Sequence, residues 1–142
     1  MESSSSKIEF PYHLKIQTRW HDNDQYGHVN NVVYYSYFDT AVNHYLVNEG
    51  GLDIHNAAVV GFVANSSCDY LAPISYPEVV DVGIRVQKLG TKSVAYEIGI
   101  FIEGDESLKA FGQFVHVFVR KADKKSVVIP QEIRDKLEEI RH

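Results

Sequence analysis

The sequence has little cysteine and no long hydrophobic run. Cys68 is the only cysteine in 142 residues, so an intramolecular disulfide is excluded and a reducing compartment is expected. No segment approaches the roughly 18 consecutive apolar residues of a membrane-spanning helix. The N-terminal residues MESSSSK lack both the apolar core of a signal peptide and the arginines of a transit sequence. These absences predict a soluble, cytoplasmic protein with no membrane partner.

Positive charge is also scarce. The chain contains 14 lysines and arginines against 19 aspartates and glutamates, which gives a formal net charge of −5. Because general nucleic-acid binding needs a basic face, no nucleic-acid partner is expected. The sequence has no Gly-x-Ser-x-Gly elbow for a serine nucleophile. His21 lies beside Asp22 and Asp24, but no complementary set of metal ligands occurs elsewhere in the chain, so no metal site is predicted.

The chain begins with a polar segment and a strand pattern. Residues 1–9 are rich in serine and are predicted to form a flexible N-terminal tail. Residues 10–142 are predicted to form a single domain, because no linker or repeat interrupts them. Apolar and polar residues alternate from Tyr12 to Trp20, which predicts a strand.

A long helix is predicted from about Asn31 to Glu49. Apolar residues recur there every three or four positions, a spacing typical of one buried helix face. Asn30 or Asn31 can cap the start of this helix, and Gly50-Gly51 can end it. The apolar positions are Val33, Tyr34, Tyr37, Phe38, Ala41, Val42, Tyr45 and Leu46.

Four apolar-rich runs follow, and they predict an antiparallel sheet. Turn residues separate the runs, which are roughly Val59–Leu71, Val79–Leu89, Ser93–Ile102 and Ala110–Arg120. Pro130 then opens a short C-terminal helix with Ile133, Leu137 and Ile140 on one face. One helix cannot cover both faces of such a sheet. We therefore expect an α+β fold in which a curved sheet of about five strands wraps around one long central helix, with its other face or edge closed by a partner subunit.

The segment from Arg19 to Tyr34, RWHDNDQYGHVNNVVY, carries the chemistry. Asp22 and Asp24 lie in a polar loop immediately before the predicted helix. Free N–H groups and the positive end of the helix dipole gather at a helix start. A carboxylate base beside an oxyanion site is what hydrolysis of an activated acyl compound requires. The alternative for Asp24 is a solvated loop or helix-capping carboxylate.

This segment resembles a known signature. Its pattern D-x-D-x-x-G-H-V-N-N-x-x-Y is similar to that of hotdog-fold acyl-CoA thioesterases of the 4-hydroxybenzoyl-CoA thioesterase-like family. Three later segments are also similar to family segments, and the resemblance covers about residues 12–135. They are Asp69-Tyr70-Leu71-Ala72-Pro73 followed by Asp81, the hairpin Leu89-Gly90-Thr91-Lys92-Ser93, and the strand Val115-His116-Val117-Phe118-Val119. The resemblance implies the hotdog fold.

The resemblance assigns the central catalytic role to Asp24. Its carboxylate would either activate water or attack the thioester carbonyl directly. The backbone N–H of about Asn31 would stabilise the oxyanion. Some relatives carry histidine at this position, so the asparagine argues against acid catalysis by the side chain here.

Further site residues follow from the same resemblance. His28 and Tyr34 are predicted to bind substrate, although a loop role for His28 and a packing role for Tyr34 are the alternatives. Lys92 and Ser93 are predicted to contact the nucleotide of CoA, although an exposed turn lysine is the alternative. The residues predicted to support the loop are Asp22, Gly27 and Asn30.

The resulting prediction is an acyl-CoA thioesterase that releases a free carboxylic acid and CoA. The family needs no cofactor or metal and self-associates as a homodimer or homotetramer, so the same is expected here. Two alternatives remain. An acyl-ACP thioesterase would need a basic surface to dock acyl carrier protein, and the net negative charge counts against it. A non-catalytic acyl-CoA-binding protein of the same fold would bind the thioester without releasing thiol.

Overall fold

The structure, a computed structural model, describes residues 6–142 and contains one five-stranded antiparallel sheet with a long helix packed on it. The helices and strands are β1 Tyr12–Gln17, α1 Val33–Asn48, β2 Val59–Tyr70, β3 Val79–Leu89, β4 Ser93–Ile102, β5 Ala110–Arg120 and α2 Gln131–Glu139, with 3-10 helices at Lys7–Glu9 and Trp20–Asp22. The strand order is β1-β3-β4-β5-β2. The predicted hotdog architecture is therefore confirmed.

Strands β3, β4 and β5 form the predicted meander. Val80 pairs with Ile102, and Ser93 pairs with Val117, so each strand lies beside the next one in sequence. The register shifts in β3 between Val86 and Lys88 and in β2 between Val63 and Asn65. Such bulges bend a strand and increase its twist, which suits a sheet that curves around a helix.

Helix α1 buries the apolar face that its sequence predicts. Phe38, at the centre of this face, has no exposed surface. Its ring lies directly on Gly112 of β5, where an added Cβ atom would lie only 2.3 Å from two ring carbons. A glycine at this point lets the helix approach the sheet closely. The buried residues of α1 are Tyr34, Tyr37, Phe38, Ala41, Val42, Tyr45 and Leu46.

The short helix α2 covers one end of the core. Ile133, Leu137 and Ile140 are all buried, as their spacing predicts. The Tyr45 hydroxyl donates a hydrogen bond to the carbonyl of Lys136 and so ties α1 to α2.

The bounds of β1 and α1 differ most from the sequence prediction. Strand β1 ends at Gln17 rather than Trp20, because the Thr18 hydroxyl donates to the Glu78 carbonyl and the chain then turns into a 3-10 helix. Helix α1 begins at Val33 rather than Asn31. The Asn30 side chain accepts a hydrogen bond from the Val32 N–H at 3.3 Å and so stabilises the turn that leads into the helix.

The segment before β1 packs on the face of the sheet opposite α1. Phe10 is 2% exposed and fills a space left by Gly83 and Gly99, where Cβ atoms would lie 2.7 Å from it. The Arg85 guanidinium stacks on the Phe10 ring, 4.5 Å from its centre. The structure thus places Lys7–Glu9, which lie within the predicted tail, beside the sheet. Residues 1–5 of that tail lie outside the described residues, and the division into tail and single domain stays a prediction.

Strand β2 forms one edge of the sheet. Within the described chain it pairs only with β5, and most of its side chains are exposed. Phe62 and Val63 are large apolar examples. No helix among residues 6–142 has the length and apolar character needed to cross a membrane.

Candidate active site

The loop between β1 and α1 is anchored by a buried carboxylate. Asp22 is only 1% exposed. It accepts hydrogen bonds from the Arg19 N–H at 2.8 Å, the Arg19 Nε–H at 3.1 Å and the Tyr37 hydroxyl at 2.8 Å. Burial raises the pKa of Asp22, but these hydrogen bonds outweigh burial, so the pKa lies below its ordinary value. The Asp22 carboxylate therefore stays ionised and joins the loop to α1, as a loop-supporting residue should.

Asp24 lies in a tight turn beyond this anchor. Its Oδ1 accepts a hydrogen bond from the Tyr26 N–H at 2.8 Å, and its carbonyl accepts one from the Gly27 N–H at 3.1 Å. Gly27 has φ +85°, a backbone conformation that favours glycine. The Asp24 N–H donates to the His28 carbonyl at 2.8 Å and closes the turn. Among residues 6–142, no protein donor contacts the second carboxylate oxygen of Asp24, which leaves it available to a ligand.

A free main-chain donor lies where the loop meets α1. The Asn30 N–H donates to the Asp22 carbonyl, and the Val33 N–H donates to the Asn30 carbonyl. Between them, the Asn31 N–H donates to no acceptor within the described part of the chain. It precedes a 16-residue helix, whose dipole favours negative charge at this end. This donor therefore has the chemistry that an oxyanion site requires.

Both features line one cleft of about 460 Å³. The carboxylate-bearing turn and the helix start contribute one part of the lining, and the end of β2 contributes the other. The lining residues are Asp24, His28, Val29, Asn30, Asn31, Tyr34, Tyr70, Leu71, Ala72 and Pro73. The structure thus brings together five of the predicted site residues: Asp24, His28, Asn30, Asn31 and Tyr34. Asp22 and Gly27 do not line the cleft.

Two predicted substrate-binding residues lie far from the cleft within one chain. Ser93 pairs with Val117, and the Lys92 carbonyl accepts a hydrogen bond from the Phe118 N–H. Tyr70, in the cleft, pairs with Ala110 at the other end of β5. Seven residues of a strand span about 24 Å. Lys92 and Ser93 therefore lie near the opposite end of the sheet from the Asp24 cleft of the same chain, and their predicted contact with the nucleotide of CoA stays a prediction.

Tyr70 is a cleft residue that sequence reasoning did not identify as functional. Its hydroxyl donates to the Asn31 carbonyl at 3.0 Å. Its ring meets the Tyr34 ring edge to face, with 4.9 Å between the centres. Tyr70 occurs in the segment Asp69-Tyr70-Leu71-Ala72-Pro73, which resembles a family segment, so its position carried a weak signal. Burial raises the pKa of Tyr34 to about 12 and also raises that of Tyr70, and both tyrosines therefore stay protonated at neutral pH.

Within residues 6–142, no three His, Cys, Asp or Glu side chains lie close enough together to hold a metal ion. In the same part of the chain, the cleft lining contains no lysine or arginine. The site thus consists of an ionisable carboxylate, a free N–H group and a partly aromatic wall.

A match to a family model decides the family. The model described as thioesterase-like superfamily matches residues 18–137, a range that contains the whole candidate site. This chain belongs to the thioesterase-like superfamily. The resemblance that the sequence signature indicated is therefore confirmed.

Individual proteins are similar to this superfamily member over nearly the whole chain. The PA5185 protein from Pseudomonas aeruginosa is 51% identical with a TM-score of 0.94, and the match covers 96% of this chain and 95% of that one. A thioesterase from Thermus thermophilus, complexed with coenzyme A and Zn, is 30% identical with a TM-score of 0.78 and coverage of 93% and 95%. The long-chain acyl-CoA thioesterase FadM of Escherichia coli is 26% identical over 129 residues, which are 89% of this chain and 96% of FadM.

Proposed function

We propose that this chain hydrolyses acyl-CoA thioesters to a free carboxylic acid and CoA. One observation carries the proposal: the Asp24 carboxylate and the Asn31 N–H, which has no acceptor among residues 6–142, line the same cleft. The names of two relatives, a long-chain acyl-CoA thioesterase and a thioesterase complexed with coenzyme A, give it further support. We propose the cytoplasm as its compartment, because the single Cys68 suits a reducing environment.

The proposed reaction begins when the thioester carbonyl oxygen meets the Asn31 N–H. As the carbonyl carbon is attacked, this oxygen becomes negatively charged and is stabilised by the N–H and by the dipole of α1. Asp24 either accepts a proton from an attacking water or attacks the carbonyl itself, forming an anhydride that water then cleaves. In both routes the C–S bond breaks, water supplies the new oxygen of the acid, and the departing thiolate takes up a proton.

We further propose that the site is completed in a homodimer, which can pair into a homotetramer. The outer edge of β2 is unpaired in the described chain, and such an edge is a template for another strand. Antiparallel pairing of two β2 strands would set the start of the partner's β2 beside Tyr70. The hairpin that carries Lys92 and Ser93 would then approach the neighbouring cleft and supply the positive charge that CoA phosphates need.

The self-association proposal can be tested by sedimentation. The chain has a mass of 16.2 kDa, and species of two or four times this mass are expected at micromolar concentration. Val63→Lys places a charge on the exposed edge strand and should weaken association. Val128→Lys, at an exposed apolar residue outside β2, is the matched control. A monomeric wild type would contradict the proposal.

The activity can be tested with a panel of acyl-CoA esters and a free-thiol readout. The panel should include short, long and aromatic acyl groups, because both aliphatic and aromatic side chains line the cleft. We expect turnover of at least one ester in proportion to enzyme concentration. Thermal stabilisation by acyl-CoA without thiol release would instead identify a non-catalytic binding protein. Thiol release only from acylated acyl carrier protein would identify the other alternative.

A further inference from the structure

Tyr70 connects the edge strand to the start of α1 across the candidate active site. It is the last residue of β2, and its hydroxyl donates to the carbonyl of Asn31, 39 positions earlier in sequence. The edge-to-face contact with Tyr34 fixes the direction of the Tyr70 ring. The hydrogen bond therefore joins two walls of one cleft and ends on the residue that carries the free N–H.

Three hydrogen bonds hold the peptide group between Asn31 and Val32. Its carbonyl accepts hydrogen bonds from the Tyr70 hydroxyl at 3.0 Å and from the Tyr34 N–H at 3.3 Å. Its N–H donates to the Asn30 Oδ1 at 3.3 Å. The Tyr70 bond is the shortest of the three. Without it, two long hydrogen bonds would remain to hold this peptide.

The free Asn31 N–H belongs to the preceding peptide, which shares the Asn31 Cα atom with this one. The carbonyl of the preceding peptide is fixed by the Val33 N–H at 2.9 Å. Only the two backbone torsions of Asn31 relate the two peptide planes. Holding the Asn31 carbonyl in place thus restricts these torsions and, with them, the direction of the free N–H.

We propose that Tyr70 is a positioning residue that aims the Asn31 N–H at the thioester oxygen. This inference rests on the proposed thioesterase activity and adds a residue to its oxyanion site. Tyr70 acts through its hydroxyl and through Asn31. An ordinary tyrosine has a pKa of about 10, and partial burial raises that of Tyr70, so the hydroxyl is protonated and can donate throughout the neutral range.

Tyr70→Phe should lower kcat about 10- to 100-fold while KM changes less than about twofold. Loss of a whole oxyanion donor costs about 10²–10³ in rate, and a misdirected donor should cost less. The ring and its contact with Tyr34 remain in the variant, so the thermal unfolding midpoint should match that of the wild type. The kinetic constants are measured by thiol release from the acyl-CoA that the wild type turns over.

Tyr12→Phe is the matched control. The Tyr12 hydroxyl also makes one side-chain hydrogen bond, to His44 Nδ1 at 2.6 Å, and this bond lies outside the cleft. This variant should keep the kcat and KM of the wild type.

The outcomes separate this inference from the proposed function. A wild type without activity would contradict the function, whereas an active wild type with an equally active Tyr70→Phe would contradict only the role of Tyr70. A raised KM with unchanged kcat would mean that the hydroxyl contacts substrate, and a lowered unfolding midpoint would mean that it is structural. Either result would overturn positioning.

A second variant tests the route through the shared peptide. Asn30→Ala removes the other side-chain hydrogen bond to the Asn31–Val32 peptide. If both side chains position this peptide, the losses in kcat should be non-additive in the double variant. Strictly additive losses would contradict the inference.

Discussion

Replacing Asp24 by asparagine is expected to lower kcat about 10²- to 10⁴-fold, the usual contribution of a general acid or base. Asparagine cannot accept a proton from water or act as a nucleophile at neutral pH. It does retain an oxygen that can accept the hydrogen bond from the Tyr26 N–H, so the turn should keep its conformation. The measurement is thiol release from acyl-CoA, accompanied by thermal unfolding to show that the fold is unchanged.

Asp69→Asn is the control for this experiment. Asp69 precedes Tyr70 and is exposed, and it pairs with Phe111, whose side chain lies in the cluster around Phe10 on the opposite face of the sheet. This substitution removes the same charge near the cleft without changing the cleft lining. It should leave kcat within about twofold of the wild type. Full activity of a folded Asp24→Asn variant would remove Asp24 from the mechanism.

Protonation of the buried His116 is expected to destabilise the folded protein in acid. His116 is 1% exposed on the inner face of β5, and its Nδ1 has no hydrogen-bond partner among residues 6–142. Burial lowers the pKa of this imidazole from 6.5 to about 4. The unfolded chain therefore binds a proton from about pH 6.5 downward, whereas the folded protein resists protonation until about pH 4.

Acid should therefore lower the free energy of unfolding, because the unfolded chain binds the proton at a higher pH than the folded protein does. The stability contribution is fully present above about pH 6.5 and is lost as the pH falls toward about 4. At about 1.36 kcal/mol per pKa unit, the loss is about 3 kcal/mol. We expect urea unfolding curves at about pH 7 and about pH 4 to differ by this amount more in the wild type than in His116→Leu, which lacks the titrating ring.

The same comparison in His55→Leu, which removes an exposed imidazole instead of a buried one, is the control. Comparison with His116→Leu separates the contribution of His116 from that of any other group that titrates in acid. Equal losses of stability in the wild type and His116→Leu would contradict this assignment.

Much of the fold follows from local pattern. The bounds of β3, β4 and β5 agree with the apolar runs in the sequence, because turn residues such as Gly90 and Gly104 interrupt the strand pattern sharply. The buried face of α1 is likewise predicted, since a 3.6-residue period fixes which side chains share a face. The helices and strands that are determined by residues close together in sequence could therefore be predicted.

The part of the site that lies within the loop between β1 and α1 could be predicted for the same reason. Asp24 and Asn31 are separated by only a tight turn and a few further residues, so their common location required little knowledge of the fold. The contact between Tyr70 and Asn31 was not accessible. It depends on the placement of β2 at the sheet edge and on the curvature of that strand, which no local pattern determines.

The packing of Phe10 was missed for a similar reason. The Phe10 ring has room on the sheet because Gly83 of β3 and Gly99 of β4 pair with each other on neighbouring strands. A single glycine in a strand only lowers the strand propensity. The two paired glycines together leave a groove that fits the Phe10 ring. The polar residues before Phe10 favoured a tail, although the long-range contact determines where this segment lies.

The order of the strands has a consequence for how the molecule can be divided. Strands β1 and β2 follow one another in the chain, with α1 between them, yet they occupy opposite margins of the sheet. The loop that carries Asp24 follows β1 at one margin of the sheet, and Tyr70 is the last residue of β2 at the other margin. No fragment that omits either margin retains both walls of the cleft, so the ability to hold a substrate belongs to the completed sheet.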